Sequence, residues 1–211
     1  MRPKFSYWII LYPFIKSYLK SRFPKNQVRE IFKNAKREYK NLMVKSEDIG
    51  EDNPMASNLY YSILFFSFLY GNPSLINKSI LAELMEYVIT HPIINKLNKK
   101  DFNNSKDMEK FKEKMIENSK WADENLIKYP STWKFNFDDS HQDGCYYYFT
   151  KCPIAKYFKD NGLEEYTHLF CELDYLTIKA CKGKLIRHNT LADGDEICDF
   201  WILGDQADYP N

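Results

Sequence analysis

Three cysteines in the last third of the chain, Cys152, Cys171 and Cys198, are interleaved with Asp174, His188, Asp195 and Asp199. Thiols, carboxylates and an imidazole are costly to gather unless they are paired or used. Together they could supply a nucleophile, a proton carrier or a metal-ligand set. Nothing in the first two thirds is comparably specific. His168, Cys171 and Asp174 fall at i, i+3 and i+6 of a predicted helix, with a thiol between an imidazole and a carboxylate on one stripe. That spacing suits a tuned thiolate or a metal half-site, and equally a buried cysteine beside two partly exposed polar residues. Cys152 precedes Pro153 where a strand gives way to a helix. There the helix dipole and free N–H groups would lower a thiol pKa, making Cys152 a nucleophile candidate; the alternative is a packed small residue. Asp199 has apolar neighbours along its own strand face, so its carboxylate must be hydrogen-bonded, paired or protonated, with Arg187 as a cross-strand partner.

The elements that must position these groups follow from periodicity. Trp133, Phe135 and Phe137 alternate with polar residues and predict a strand, and Cys145 to Lys151 predicts a second. Pro153 opens a helix that Gly162 closes, and a second helix runs from Glu164 to Cys181. Residues 184–191 and 196–203 read as two strands joined at Ala192-Asp193-Gly194-Asp195, a hairpin turn sequence. Before residue 130 the patterns are helical: 6–23 broken or bent near Pro13, 26–43 amphipathic, 58–70 strongly apolar, 74–90 with Ser74 as N-cap, and 104–128 charged with a thin apolar stripe. The expected fold class is α+β. A helical region over 1–129 packs with an antiparallel sheet of about four strands and two helices over 130–211, as two regions or as one continuous domain.

Composition sets the outer bounds. The 211 residues are 44% hydrophobic and 17% aromatic, which implies a core rich in ring packing. Thirty Lys and Arg against 29 Asp and Glu leave a net charge of +1, which argues against nucleic acid or an anionic membrane as partner. The apolar run 59–70 is too short to span a bilayer. The run 5–14 lacks a cleavage pattern and reads as a core helix. Five cysteines with no CxxC pair disfavour a zinc knuckle, a redox pair or a disulfide framework, and point to reducing cytosol. P-loop, dinucleotide-binding, HExxH and GxSxG motifs are absent.

Cys152-Pro153, Gly162, Cys171-x-x-Asp174 and Thr190-Leu191-Ala192-x-Gly194-Asp195-x-x-Cys198-Asp199-Phe200, in that order and spacing, resemble the signature of the L-2-amino-thiazoline-4-carboxylic acid hydrolase family. The resemblance covers about residues 145–201, with Leu69-Tyr70-Gly71 a weaker echo. It implies a cytoplasmic hydrolase acting on the non-peptide C–N bonds of a cyclic amidine, a carboxylated five-membered ring converted to N-carbamoyl-L-cysteine. On that resemblance Cys171 would be nucleophile or metal ligand, and Asp174 would orient it or accept a proton. Cys198 and Asp199 come next. His188 would be an acid/base and Arg187 a carboxylate anchor, with Cys152 also on the substrate. No cofactor is certain; Cys152, Cys171, Cys198 and Asp174 could instead hold a divalent metal of zinc type. The hairpin more distantly resembles the end of 4-vinyl reductase-type domains, which implies the alternative of a non-catalytic small-molecule-binding protein. The aromatic surplus allows a homo-oligomer.

Overall fold

A computed structural model describes residues 1–97, 100–141 and 143–208; Gln142, in the predicted polar turn, lies outside the described residues. The fold is α+β, a helical N-terminal part packed with a four-stranded antiparallel sheet. Helices α1 (Ser6–Arg22), α2 (Lys25–Val44), α3 (Ala56–Gly71), α4 (Lys78–Ile89), α5 (Pro92–Leu97) and α6 (Ser105–Asn125) precede strands β1 (Lys134–Asn136) and β2 (Cys145–Lys151). Then come α7 (Pro153–Asp160), α8 (Thr167–Ala180, led by a 3-10 turn), β3 (Gly183–Ile186) and β4 (Cys198–Gly204). Among the described residues, no helix is long and apolar enough to cross a membrane.

The central element is α3. It is apolar on nearly every side and buried on nearly every side, as such a helix must be. Gly71 lets its C-terminal end meet the α2 backbone: a Cβ there would lie 3.0 Å from the carbonyl carbon of Asn34. Phe66 of α3 meets Phe158 of α7 edge-on at 5.1 Å, and Phe158 stacks on Phe170 of α8 at 5.0 Å. This aromatic column joins the helical part to the two helices that carry the chemistry-bearing residues. Of the expected break or bend near Pro13, the break does not occur: α1 runs through Pro13 as one helix. The carbonyl that Pro13 leaves without a helical donor belongs to Ile9, which faces solvent. Helix α4 starts three residues later than Ser74 would allow, because the Asn77 side chain accepts from the Ile80 N–H at 2.9 Å and caps it instead.

The sheet order is β1-β2-β4-β3. Pairing of Tyr147 with Phe200 and Phe149 with Cys198 puts those residues on one face with Phe135, Cys145 and Ile202. One contiguous cluster of buried side chains runs from Trp8 to Ile202 and includes this face. Tyr146, Tyr148, Asp199 and Trp201 alternate onto the opposite face.

The predicted 184–191/196–203 hairpin is shorter in its strands and longer in its connection. The β3–β4 register ends at Ile186 opposite Trp201. Beyond it, the Asp199 carboxylate takes the N–H groups of His188 (3.1 Å) and Asn189 (2.6 Å) that a ladder would have used. Residues 190–195 then close as a compact loop, with Asp195 accepting the Thr190 N–H at 2.8 Å and Gly194 at φ +90°.

Candidate functional site: a hollow lined by three thiols

The end of β2, the first turn of α7, one face of α8, the 190–192 loop and the start of β4 surround a hollow of about 290 Å³. Cys152, Cys171, Cys198, Asp174 and Thr190 all line it. Each arrives by a different local rule. Cys152 is the N-cap of α7, with Pro153 at the first helical position. Cys171 and Asp174 sit one turn apart on the α8 face turned to the sheet. Cys198 opens β4 on the inward face set by its pairing with Phe149. Thr190 lies between the sulfurs: Cys198 Sγ donates to its Oγ1 at 3.7 Å, and Cys171 Sγ is 3.9 Å from the same oxygen. The Ala192 N–H donates to that oxygen as well, at 3.2 Å, and holds the hydroxyl in place. His168, the third member of the predicted stripe, turns outward and meets Asp193 at 2.9 Å.

Arg187 supports the hollow from behind. Its side chain is 4% exposed, and Nη2 donates to Asp174 Oδ2 at 2.7 Å. Nε donates to the Asp199 carbonyl and Nη1 to the Cys171 carbonyl. The guanidinium also lies 4.1 Å from the Phe200 ring centroid. These contacts tie α8 to β4. They also correct two expectations. The carboxylate that Arg187 pairs with is Asp174, because Asp199 lies on the other face of the sheet. And Arg187 is committed within the fold, so it does not reach into the hollow as a carboxylate anchor. Asp199 and His188 are likewise not among the hollow's lining residues. Asp199 is 3% exposed and holds backbone N–H groups, while the exposed His188 ring approaches it at 3.5 Å.

The electrostatics favour neutral thiols. Burial pushes Cys152 up to about 12. The N–H groups of Ile154 and Ala155 at the α7 terminus favour its thiolate, as the sequence suggests, but desolvation outweighs them. Burial, then the charge of Asp174, pushes Cys171 up to about 12 as well, and burial raises Cys198. Asp174 is held above the usual carboxylate range by its enclosure, against the pull of Arg187. Its side chain still keeps 42% of its surface, and Oδ1 accepts no hydrogen bond from the described residues. The sulfurs share a hollow without forming a cage: among the described residues, no group of three or more His, Cys, Asp or Glu is placed to hold a metal ion.

A family model described as L-2-amino-thiazoline-4-carboxylic acid hydrolase matches residues 78–202. The chain belongs to that family. No curated protein and no solved structure matches the chain significantly. The matched span runs from the start of α4 into β4. It thus contains each hollow-lining residue of this hydrolase-family member except Pro54, Met55, Ser57 and Asn58 at the start of α3. Sequence reasoning missed the α6 wall. Lys114 and Asn118 line the hollow from that helix. A signal was there: Asn118 sits three residues after Met115 and seven after Phe111, a polar residue inside the apolar stripe.

Proposed function

We propose that this family member hydrolyses a small carboxylated cyclic amidine, opening L-2-amino-thiazoline-4-carboxylate to N-carbamoyl-L-cysteine. The observation that carries the reading is the convergence of Asp174 and three thiols on one hollow. Its volume lies at the lower end of the roughly 300–1,000 Å³ of ligand cavities, which suits a single small ring. A reducing cytosol is the compartment this reading requires, because both the thiols of the hollow and the thiol of the product must stay unoxidised.

The reaction needs one bond made and one broken. Water oxygen bonds to the ring carbon that lies between nitrogen and sulfur. The product keeps both nitrogens on that carbon, so the bond that breaks is carbon–sulfur rather than the carbon–nitrogen bond the class name suggests. Of the two water protons, one ends on the ring nitrogen and one on the departing sulfur. Asp174 is the group suited to carry a proton. Oδ2 is held by Arg187, Oδ1 is available, and a raised pKa brings the carboxyl closer to the operating pH. It takes a proton from the attacking water and returns it to the leaving thiolate, which is the stronger base. Cys171 and Cys198, neutral and linked through Thr190, form the polarizable wall against the ring. A covalent route through Cys171 would demand a thiolate that its surroundings oppose.

Incubating the protein with the thiazoline carboxylate and following N-carbamoylcysteine tests this. Asp174→Asn is expected to lower kcat by ~10²–10⁴, the range of general acid–base catalysis, while Cys171→Ala stays within about tenfold of wild type. Loss of all turnover in Cys171→Ala, with Asp174→Asn nearly active, would transfer the chemistry to the thiol. Ligand binding with no turnover under any reducing condition would leave a binding protein on the same scaffold.

A further inference from the structure

Asn118 is 5% exposed, lines the hollow, and its side chain forms no hydrogen bond with any described residue. Among the described residues the one fully enclosed side-chain polar atom without a partner is Trp8 Nε1, so the Asn118 amide keeps access to the hollow, where its polar atoms are open to water or a ligand. Lys114 lies one turn earlier on the same side of α6. It is exposed, lines the same hollow, and forms no ion pair with the described residues. The charge balance of the hollow makes this informative. Its one lining carboxylate, Asp174, is answered by Arg187 from behind. Lys114 is therefore a cation at the rim without an ion-pair partner among the described residues, and Asn118 places two N–H donors deeper on the same wall.

We infer that Lys114 and Asn118 form a carboxylate-binding subsite on the α6 wall, which selects ring substrates bearing an acid group. The inference rests on the ring-opening reading for the identity of the ring, but not for the anion. With the acid group held at α6, the ring extends toward α8 and β4, where Asp174, Cys171 and Cys198 lie. This gives the hollow the anchor that Arg187 cannot provide. It also explains why the donors are an ammonium at the rim and a neutral amide inside: the first attracts the anion and the second orients it without burying another charge.

The test compares two probes, the thiazoline carboxylate and the carboxyl-free 2-aminothiazoline, by titration calorimetry on wild type, Lys114→Met and Asn118→Leu. Turnover of each probe is followed where it occurs. Wild type is expected to prefer the carboxylate by tenfold or more. Each substitution should erase about tenfold of that preference, the size of one charge-assisted hydrogen bond, with the loss falling on KM and the affinity for the carboxyl-free ring unchanged. Asn118→Leu removes a lone polar group, so its Tm should equal or exceed that of wild type, which separates a lost contact from a lost fold. Equal affinity of wild type for both rings, binding of neither, or a preference untouched by both substitutions would overturn the subsite. Discrimination without turnover would keep the subsite and remove the ring-opening reading. Turnover with unaltered discrimination would do the reverse.

Discussion

Removing the Asp174 carboxylate strands a guanidinium whose side chain is only 4% exposed, whereas removing Arg187 leaves a carboxylate that is 42% exposed and able to take water or a proton. The two substitutions should therefore differ in cost. A fully buried ion pair loses roughly 3–5 kcal/mol when one partner goes. With Asp174 partly open, Asp174→Ala is expected to cost about 2–3 kcal/mol and Arg187→Met, which keeps its packing on Phe200, about 1–2 kcal/mol. The double variant should recover at least about 1 kcal/mol of their sum. Urea unfolding of the four proteins gives the cycle, and strict additivity would mean that the pair does not bind α8 to β4. At this scale the sequence was legible where spacing alone sets position, as for Cys171 and Asp174 on one face of α8. It was illegible where function depended on a residue being out of character with its surroundings. Lys114 looks like solvated helix surface until the sheet face is known to lie against α6, and Asn118 shows only as a polar residue in an apolar stripe. Arg187 shows the converse. Its type suggested a ligand anchor, but its Nη2 and Nε contacts can be assigned only once the faces of Asp174 and Asp199 are fixed by strand pairing.

Local chemistry placed α7 correctly, although it misplaced the cap of α4. Pro153 and Gly162 bracket α7 as expected, with Gly162 at φ +66°. The β3–β4 connection was misjudged because a side chain replaced the backbone. Alternation along 184–191 predicts continued pairing, but the Asp199 carboxylate captures His188 and Asn189 and releases Thr190 to turn inward between the sulfurs. No periodicity can show such a substitution. It gives Asp199 a positioning role with a measurable outcome. In Asp199→Ala the two N–H groups lose a charged acceptor, and a loss of about 2–3 kcal/mol is expected, with each unsatisfied donor contributing ~1–3 kcal/mol in full burial. Hydrogen exchange at residues 188–190 should rise before the rest of the sheet, because the defect is confined to the connection. Unchanged protection there would show that the loop holds without the carboxylate. Asp199→Asn, which keeps one acceptor oxygen, should fall between the two.

The whole molecule shares one electrostatic habit: it buries thiols and phenols in their protonated forms. Cys145 is pushed up to about 11 by burial, Cys152 and Cys171 to about 12, and desolvation drives Tyr60 to about 12 and Tyr39, Tyr147 and Tyr157 upward as well. In the unfolded chain these groups titrate near 9.0 and 10.0. The sign follows from proton counting. Between the unfolded and folded values the unfolded chain binds fewer protons, so unfolding free energy falls as pH rises. The contribution is fully present below about pH 8 and is lost progressively from about pH 9 to 12. Each unit of separation is worth about 1.4 kcal/mol, and several such groups together approach the whole ~5–15 kcal/mol stability of a domain. Urea midpoints measured under reducing conditions should be level from pH 7 to 8 and fall steeply by pH 10.5. Replacing Cys152, Cys171 and Cys198 together by alanine should make the fall between about pH 9 and 10 shallower, with Cys145 still setting its onset, because the thiols ionise first in the unfolded chain and the phenols follow. A midpoint that holds level through pH 10.5 in the wild type would mean that water already reaches these thiols and phenols, and that burial does not hold them in their protonated forms.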